Sequence, residues 1–133
     1  MIRYATESDY KYLTENDRHI LPNELKYAIK RRRILIYDDG GQIAFTRYNL
    51  FWDNTPFCNM LFVSKPHRNK GIGKSLVTFW ENEMKQSGYN TVMTSTRSDE
   101  EGQLFWRKIG YTDCGSFKTD GEPTELLFYK TLK

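Results

Sequence analysis

Apolar residues fall into two kinds of pattern along the chain, and each predicts a different element. Short runs rich in β-branched and aromatic residues read as strands. They are "MIRYA" (1–5), "ILIYDD" (34–39), "IAFTRYNLFW" (43–52), "FCNMLFV" (57–63), "TVMTST" (91–96), "YTDCGSF" (111–117) and "TELLFYKTL" (124–132). Between them lie stretches with helical spacing. In "GIGKSLVTFWENEMKQS" the apolar residues Ile72, Leu76, Phe79, Trp80 and Met84 line one face. Glu81 and Lys85 add an i,i+4 pair, and Gly88 suits the position just past a helix end. "TESDYKYLTEN" begins with Thr6 as an N-cap and places Glu7 and Asp9 in the first turn, where the helix dipole favours acids. "LPNELKYAIKRRR" has Pro22 at its first helical position and Leu25 and Ile29 on one face. In "SDEEGQLFWRKIGY", Ser98 and Glu101 have the spacing of a capping box, Arg107 and Lys108 fall in the last turn, and Gly110 follows.

The predicted order is β-α-α-β-β-β-α-β-α-β-β. That order implies a mixed α/β (α+β) fold whose sheet is largely antiparallel at its start. "GGQ" turns the first hairpin and "DNTP" the second. The crossover through the long helix makes strands 57–63 and 91–96 parallel neighbours.

With 133 residues, one domain spanning 1–133 is expected. Aromatics at 15% supply large pieces for a core. A net charge of +3 is too small to argue for nucleic acid but suits an anionic small ligand. Two cysteines, Cys58 and Cys114, form no disulfide framework. No apolar run reaches the ~18 residues of a membrane span, and the N-terminus lacks a signal-peptide stretch. A reducing cytoplasm is the expected location. His19 and His67 have no companions at metal-ligand spacing, so no metal is expected.

The segment "HRNKGIGKSL" (67–76) joins a strand to the long helix and has the composition of a phosphate-holding loop. Gly73, Lys74 and Ser75 end like a nucleotide-triphosphate loop, but the glycine that pattern needs falls on Arg68. Gly71 and Gly73 open a dinucleotide fingerprint, but its third glycine falls on Leu76. The pattern R-x-x-G-x-G fits fully, through Arg68, Gly71 and Gly73. Glycines there let the backbone approach an anion. The first amides of the helix have no internal partners and point at it. Arg68, Lys70 and Lys74 add positive charge.

In this strand–loop–helix setting the segment Val63–Leu76 resembles the acetyl-CoA pyrophosphate loop of the GNAT acetyltransferase superfamily. "SDEEGQLFWRKIGY" resembles that family's second landmark, N-x-x-A-x-x-L-Y-x-K-x-G-F. Asp99 stands at its Asn, Gly102 at its Ala, Phe105 at its Leu, Trp106 at its Tyr, Lys108 at its Lys, and Gly110 and Tyr111 at its Gly-Phe. The resemblance covers nearly the whole chain and implies a twisted, largely antiparallel mixed sheet flanked by helices.

The resemblance also implies direct attack of a primary amine on the thioester of acetyl-CoA in a ternary complex. It places Leu61, Phe62 and Val63 along the pantetheine through their backbones, with the Val63 amide near the thioester oxygen. It assigns Arg68, Asn69, Lys70, Gly71, Ile72, Gly73, Lys74 and Ser75, together with Asp99, Phe105, Trp106 and Lys108, to the cofactor. Two residues depart from the family pattern. The tyrosine that often protonates the leaving thiolate is Trp106, whose indole donates a hydrogen bond but is no proton source near neutral pH. Tyr111 and Tyr129 are candidate substitutes. The carboxylate many relatives carry on the preceding strand is replaced by Met60, with Asn59 beside it, neither of which can take a proton; a water chain or an acid elsewhere then serves, with Asp53 in "FWDNTP" the favoured candidate.

Aromatics around that hairpin end make Tyr48, Trp52 and Asp53 candidates for substrate contact, and the helices at 7–32 add Tyr27 and Glu24. Cys58 reads as a small core residue. "KRRR" (30–33) complements a helix C-terminus. Two other readings stand beside the transferase. One is a coenzyme A-binding protein with little catalytic activity. The other is a basic partner- or nucleic-acid-binding module using Lys30 to Arg33. The sequence does not choose the amine, and oligomeric state is open, a homodimer included.

Overall fold

The computed structural model describes residues 1–133. The sheet contains seven strands: β1 (Ile2–Tyr4), β2 (Ile34–Asp38), β3 (Gln42–Phe51), β4 (Thr55–Val63), β5 (Thr91–Arg97), β6 (Thr112–Phe117) and β7 (Glu125–Thr131). The helices are α1 (Tyr10–Asn16), α2 (Pro22–Lys30), α3 (Ile72–Gln86) and α4 (Gly102–Lys108). This is the expected order. Short 3₁₀ turns at Glu7–Asp9 and Lys65–His67 are added. The strands lie in the order β1-β2-β3-β4-β5-β7-β6, all neighbours antiparallel except β4 and β5.

Burial on both faces explains why β2 reads as a continuous apolar run rather than an alternation. Ile34 and Ile36 point with Phe45 into a core beneath α1 and α2, built on Leu13, Leu25 and Ile29. Leu35 and Ala44 point the other way, into a core with Leu76, Val77, Trp80 and Met84 of α3 and Trp106 of α4. The face of α3 carrying Leu76, Trp80 and Met84 is buried as its spacing predicts. Cys58 belongs to this core too.

The capping box expected at Ser98 does not form. The helix starts at Gly102 with Glu101 as N-cap, and Ser98 gives its amide to the Thr124 carbonyl. A contact across the sheet end thus overrides the local signal. The start of α4 also presses on β5. A Cβ on Gly102 would stand 2.8 Å from Thr96 Oγ1, which accounts for a glycine in the first turn.

Candidate functional site

β4 has two unlike edges. Its β3 edge is paired from Phe51–Thr55 to Ala44–Val63, with one irregularity. Arg47 faces Met60 and Tyr48 faces Cys58, so Asn59 is the extra residue of a β-bulge. The bulge inverts the faces. Cys58 packs under α3, whereas Met60 and Phe62 pack toward α1 and α2, and Leu61 and Val63 return to the α3 side. A regular strand would have kept 58, 60 and 62 together.

On the β5 edge only Phe57–Met93 and Cys58–Thr94 are in register. Thr94 Oγ1 donates to the Cys58 carbonyl at 2.9 Å and closes the apex of a V. Beyond it the strands separate. The Ser64 amide donates to the Ile43 carbonyl. Alternation along an antiparallel pair then turns the Leu61 and Val63 amides away from β3 and into the opening. A cavity of about 540 Å³ fills the V, bounded by Cys58 to Leu61, by Thr94 to Arg97, and by Phe105 and Trp106 of α4.

The wide end of the V meets the loop 64–71. Arg68 Nε donates to the Val63 carbonyl at 2.8 Å, which pins the loop to the strand end. Asn69 and Gly71 both take left-handed conformations, φ 63° and 82°. Gly71 is the N-cap of α3, and the first intrahelical acceptor is its carbonyl, reached by the Ser75 amide at 3.0 Å. The amides of Ile72, Gly73 and Lys74 are therefore without intrahelical partners. Lys70 and Lys74 enter no ion pair. Phe105 stands against Gly73 and so joins α4 to the start of α3. The loop is a concave, basic array of backbone donors of the kind that holds a phosphate.

A second cavity, about 330 Å³, opens on the α2 side, lined by Glu24 and Tyr27 of α2 and by Arg33, Arg47, Tyr48 and Asn49 among others. Arg47 in that lining is held by an ion pair. Asp17, fully buried at its side chain, accepts from Arg47 Nε at 2.7 Å. Burial raises the Tyr48 hydroxyl's pKa, keeping it protonated, and its ring rests 5.9 Å from that of Trp80. His19 and Asn59 line both cavities and mark where they meet.

Residues 30–113 match the model of the acetyltransferase (GNAT) domain. The chain belongs to the GNAT family. Ard1 from Thermoplasma volcanium is similar in fold, with TM-score 0.88 at 12% identity, over 100% of this chain and 97% of that one. A GNAT-family acetyltransferase from Bacillus cereus ATCC 10987 gives TM-score 0.81 at 22% identity, over 100% and 97%. The PaiA N-acetyltransferase from Thermoplasma acidophilum, solved in complex with coenzyme A, gives 0.81 at 20% identity, over 98% of each chain. No curated protein matches by sequence. No helix of this GNAT chain is long and apolar enough to cross a membrane.

The structure gathers most, not all, of the site residues that the sequence suggests. Leu61, Phe105 and Trp106 line the V, Arg68 to Gly71 lie in the loop at its wide end, and Ile72 to Ser75 form the first turn of α3. Ser75 Oγ donates back to the Gly71 carbonyl at 3.0 Å. Phe62 faces the α1 and α2 core, so only its main chain borders the strand edge. Asp99 is exposed and bound by Arg97 at 2.9 Å, just outside the V. Lys108 is exposed on the last turn of α4 and lines neither cavity.

Asp53 and Trp52 lie elsewhere. They occupy left-handed positions in the turn before β4, at the opposite end of that strand from the loop, and line neither cavity. The strand leads its wide end away from that turn, so proximity in sequence to β4 misled. Tyr111 and Tyr129 are also misplaced as proton donors to the V. Tyr111 is buried and gives its hydroxyl to Glu81 at 2.7 Å, with Lys130 on the same carboxylate. Burial pushes its hydroxyl pKa far up, the Glu81 carboxylate adding to it. Tyr129 lines a different groove beside Glu81 and Lys85.

Sequence reasoning missed two acids of the V, Glu100 and Glu125. Glu125 accepts the Ser95 hydroxyl at 2.7 Å. Nothing local marks it, because β7 reaches β5 only through the strand order. Cys58 borders the V, but its thiol is turned to Thr46 Oγ1 at 3.3 Å, and burial raises its pKa, so it stays a neutral thiol. The run at Lys30 to Arg33 is dispersed. Arg31 stacks over Tyr27, Arg32 over Tyr4, and Arg33 lines the second cavity.

Proposed function

We propose that the protein is an acetyl-CoA-dependent N-acetyltransferase acting on a primary amine, in a single domain. The observation that carries this reading is the open β4–β5 edge. Its free amides at Leu61 and Val63 lead directly to the unpartnered amides of Ile72, Gly73 and Lys74. A molecule with a diphosphate at one end and an amide-bearing arm at the other satisfies both sets of donors at once, and coenzyme A has that chemistry.

In this reading the diphosphate sits on the loop, with Arg68, Lys70 and Lys74 around it, and the pantetheine runs along β4 toward the apex. The amine enters by the second cavity, past Tyr27, Glu24 and Tyr48, and meets the thioester near Asn59. Val63 is about 13 Å along the strand from Asn59 at 3.3 Å per residue, and Leu61 about half that. The Leu61 amide is therefore the donor to the oxygen of the attacked carbonyl, in place of Val63. A fixed donor of this kind contributes about 3–4 kcal/mol. Trp106 packs beside the sulfur and supplies no proton, so the thiolate leaves unassisted by an aromatic hydroxyl.

A second reading, coenzyme A binding with little transfer, draws on one observation: no tyrosine lines the V. Thiol release from acetyl-CoA, followed with a polyamine, an aminoglycoside, lysine and a peptide N-terminus, decides between them. Release above background with any of these supports transfer. Binding of acetyl-CoA with no release for all of them supports the second reading. Gly71→Glu forces a side chain into a left-handed N-cap and puts a negative charge beside the diphosphate. It should weaken coenzyme A binding at least ~100-fold, about 2.7 kcal/mol. Unchanged affinity would refute the loop assignment.

A further inference from the structure

We propose that His19 is the group that takes the proton from the acceptor amine. The inference rests on the transfer reading above and adds to it the base that the sequence does not supply.

A bound ammonium must lose a proton before its nitrogen lone pair can attack. In the step proposed, the ammonium proton passes to a ring nitrogen of His19. The freed pair forms the N–C bond to the acetyl carbon, and the C–S bond breaks with its pair on sulfur. The second nitrogen proton goes to the thiolate, which leaves as a thiol. The products are the amide, coenzyme A and a protonated His19, which returns its proton to solvent.

Position selects His19. The thioester occupies the V and the amine the second cavity, so the reacting atoms meet at their junction. Two side chains line both spaces, Asn59 and His19. An amide cannot hold the proton, whereas an imidazole is the side chain best suited to exchange one near neutral pH. Asn59 is in addition engaged, donating to Asn49 Oδ1 at 2.7 Å.

The turn that carries His19 is held at the junction from below. Its backbone amide approaches Asp17 Oδ1 at 3.4 Å, and the same carboxylate is gripped by Arg47, which faces Met60 beside the bulge. The buried ion pair thus ties the α1–α2 turn to β3, at the residue that faces Met60 across from the bulge.

Other ionisable groups around the two cavities are placed less well. On the side of the V, Glu100 pairs with Arg97, Glu125 is bonded to Ser95, and Cys58 is a buried neutral thiol. On the other side, Asp17 is committed to Arg47, while Glu24, Arg33, Tyr27 and Tyr48 border the second cavity alone. The nearest strand positions offer Met60 and Asn59, neither of which can take a proton.

The test uses the full chain with acetyl-CoA and spermidine, kanamycin, lysine or an alanine-initiated peptide as acceptor. Wild type, His19→Gln and His19→Ala are compared for thiol release across pH, for coenzyme A affinity by calorimetry, and for thermal midpoint. Loss of a general base should lower kcat/KM at least ~100-fold. It should also remove the acid limb of the pH profile and leave coenzyme A affinity and thermal midpoint unchanged. Added imidazole should restore part of the rate to His19→Ala.

Turnover by His19→Gln within ~2-fold of wild type, with the same acid limb, overturns the proposal and leaves the transfer reading standing. A drop in thermal midpoint in both variants without imidazole rescue overturns it as well, assigning His19 a structural part. A wild-type chain that binds coenzyme A yet acetylates none of the four amines overturns both.

Discussion

The two edges of β4 differ: one is closed by pairing and the other is left open. Along β3 its pairing runs from Phe51–Thr55 to Ala44–Val63, interrupted only at the bulge. Along β5 it has two registered pairs and then none. The first edge satisfies its backbone internally and needs side chains only to support it. The second leaves donors open beside a cavity, and an amide left buried and unpaired costs free energy, which is why the proposed function gives those donors a ligand. The closed edge fixes where the open edge points. The bulge at Asn59 is the connection between them, because it sets which side chains and which amides face the V.

The largest effect should come from breaking the support of the closed edge. Arg47→Leu leaves the Asp17 carboxylate buried without its partner. Removing one member of such a pair typically costs about 3–5 kcal/mol, which urea unfolding would register as a lower midpoint. A variant of wild-type stability would mean that the bulge holds without the pair.

A somewhat smaller effect is expected at the far end of the closed half, where Asp9 ties β1 to β3. Its carboxylate takes two hydrogen bonds from Arg3, at 2.8 and 2.9 Å, one from the Thr6 amide and one from Gln42. The Arg3 guanidinium, bonded to it, holds the carboxyl well below the usual range, with the Thr6 and Gln42 bonds helping. A folded pKa below the unfolded value of about 3.9 means that the stabilisation is full above that pH. It is lost as pH falls through and below it toward the folded value. Asp9→Asn should therefore lose about 1.5–3 kcal/mol at pH 7. The difference from wild type should shrink once the pH passes below about 4. An equal difference at pH 3 and pH 7 would contradict this.

The smallest effect lies at the apex of the V. Thr94→Val keeps the shape but removes the hydroxyl bonded to the Cys58 carbonyl, for about 1 kcal/mol of stability. If that bond sets where the strands part, coenzyme A affinity falls as well. Unchanged affinity would show that the bulge alone opens the edge.

Much of this arrangement is legible in the sequence because it depends on local pattern. The spacing of Leu76, Trp80 and Met84 gives α3 its buried face, and the glycines at 71 and 73 mark a turn with free helix amides. The crossover between strands 57–63 and 91–96 makes them parallel by chain geometry alone. What is not legible depends on contacts distant in the chain. No residue in "FCNMLFV" announces that Asn59 is bulged, since the bulge exists only against β3. Tyr111 looks available until Glu81, on α3, is seen to hold its hydroxyl. Glu125 enters the V because β7 inserts between β5 and β6. Asp53 is adjacent to β4 in sequence yet at the wrong end of it in space.

The central claim is that main-chain amides on both sides of the loop at 64–71 receive a single ligand. Titrating the ¹⁵N-labelled chain with coenzyme A and following backbone amide resonances tests it most directly. The account predicts that Leu61, Val63, Ile72, Gly73 and Lys74 shift together with one affinity, while the β3-bonded amide of Ser64 moves less. Saturable binding that leaves these five unmoved and shifts amides around Glu81, Lys85 and Lys130 instead would contradict it.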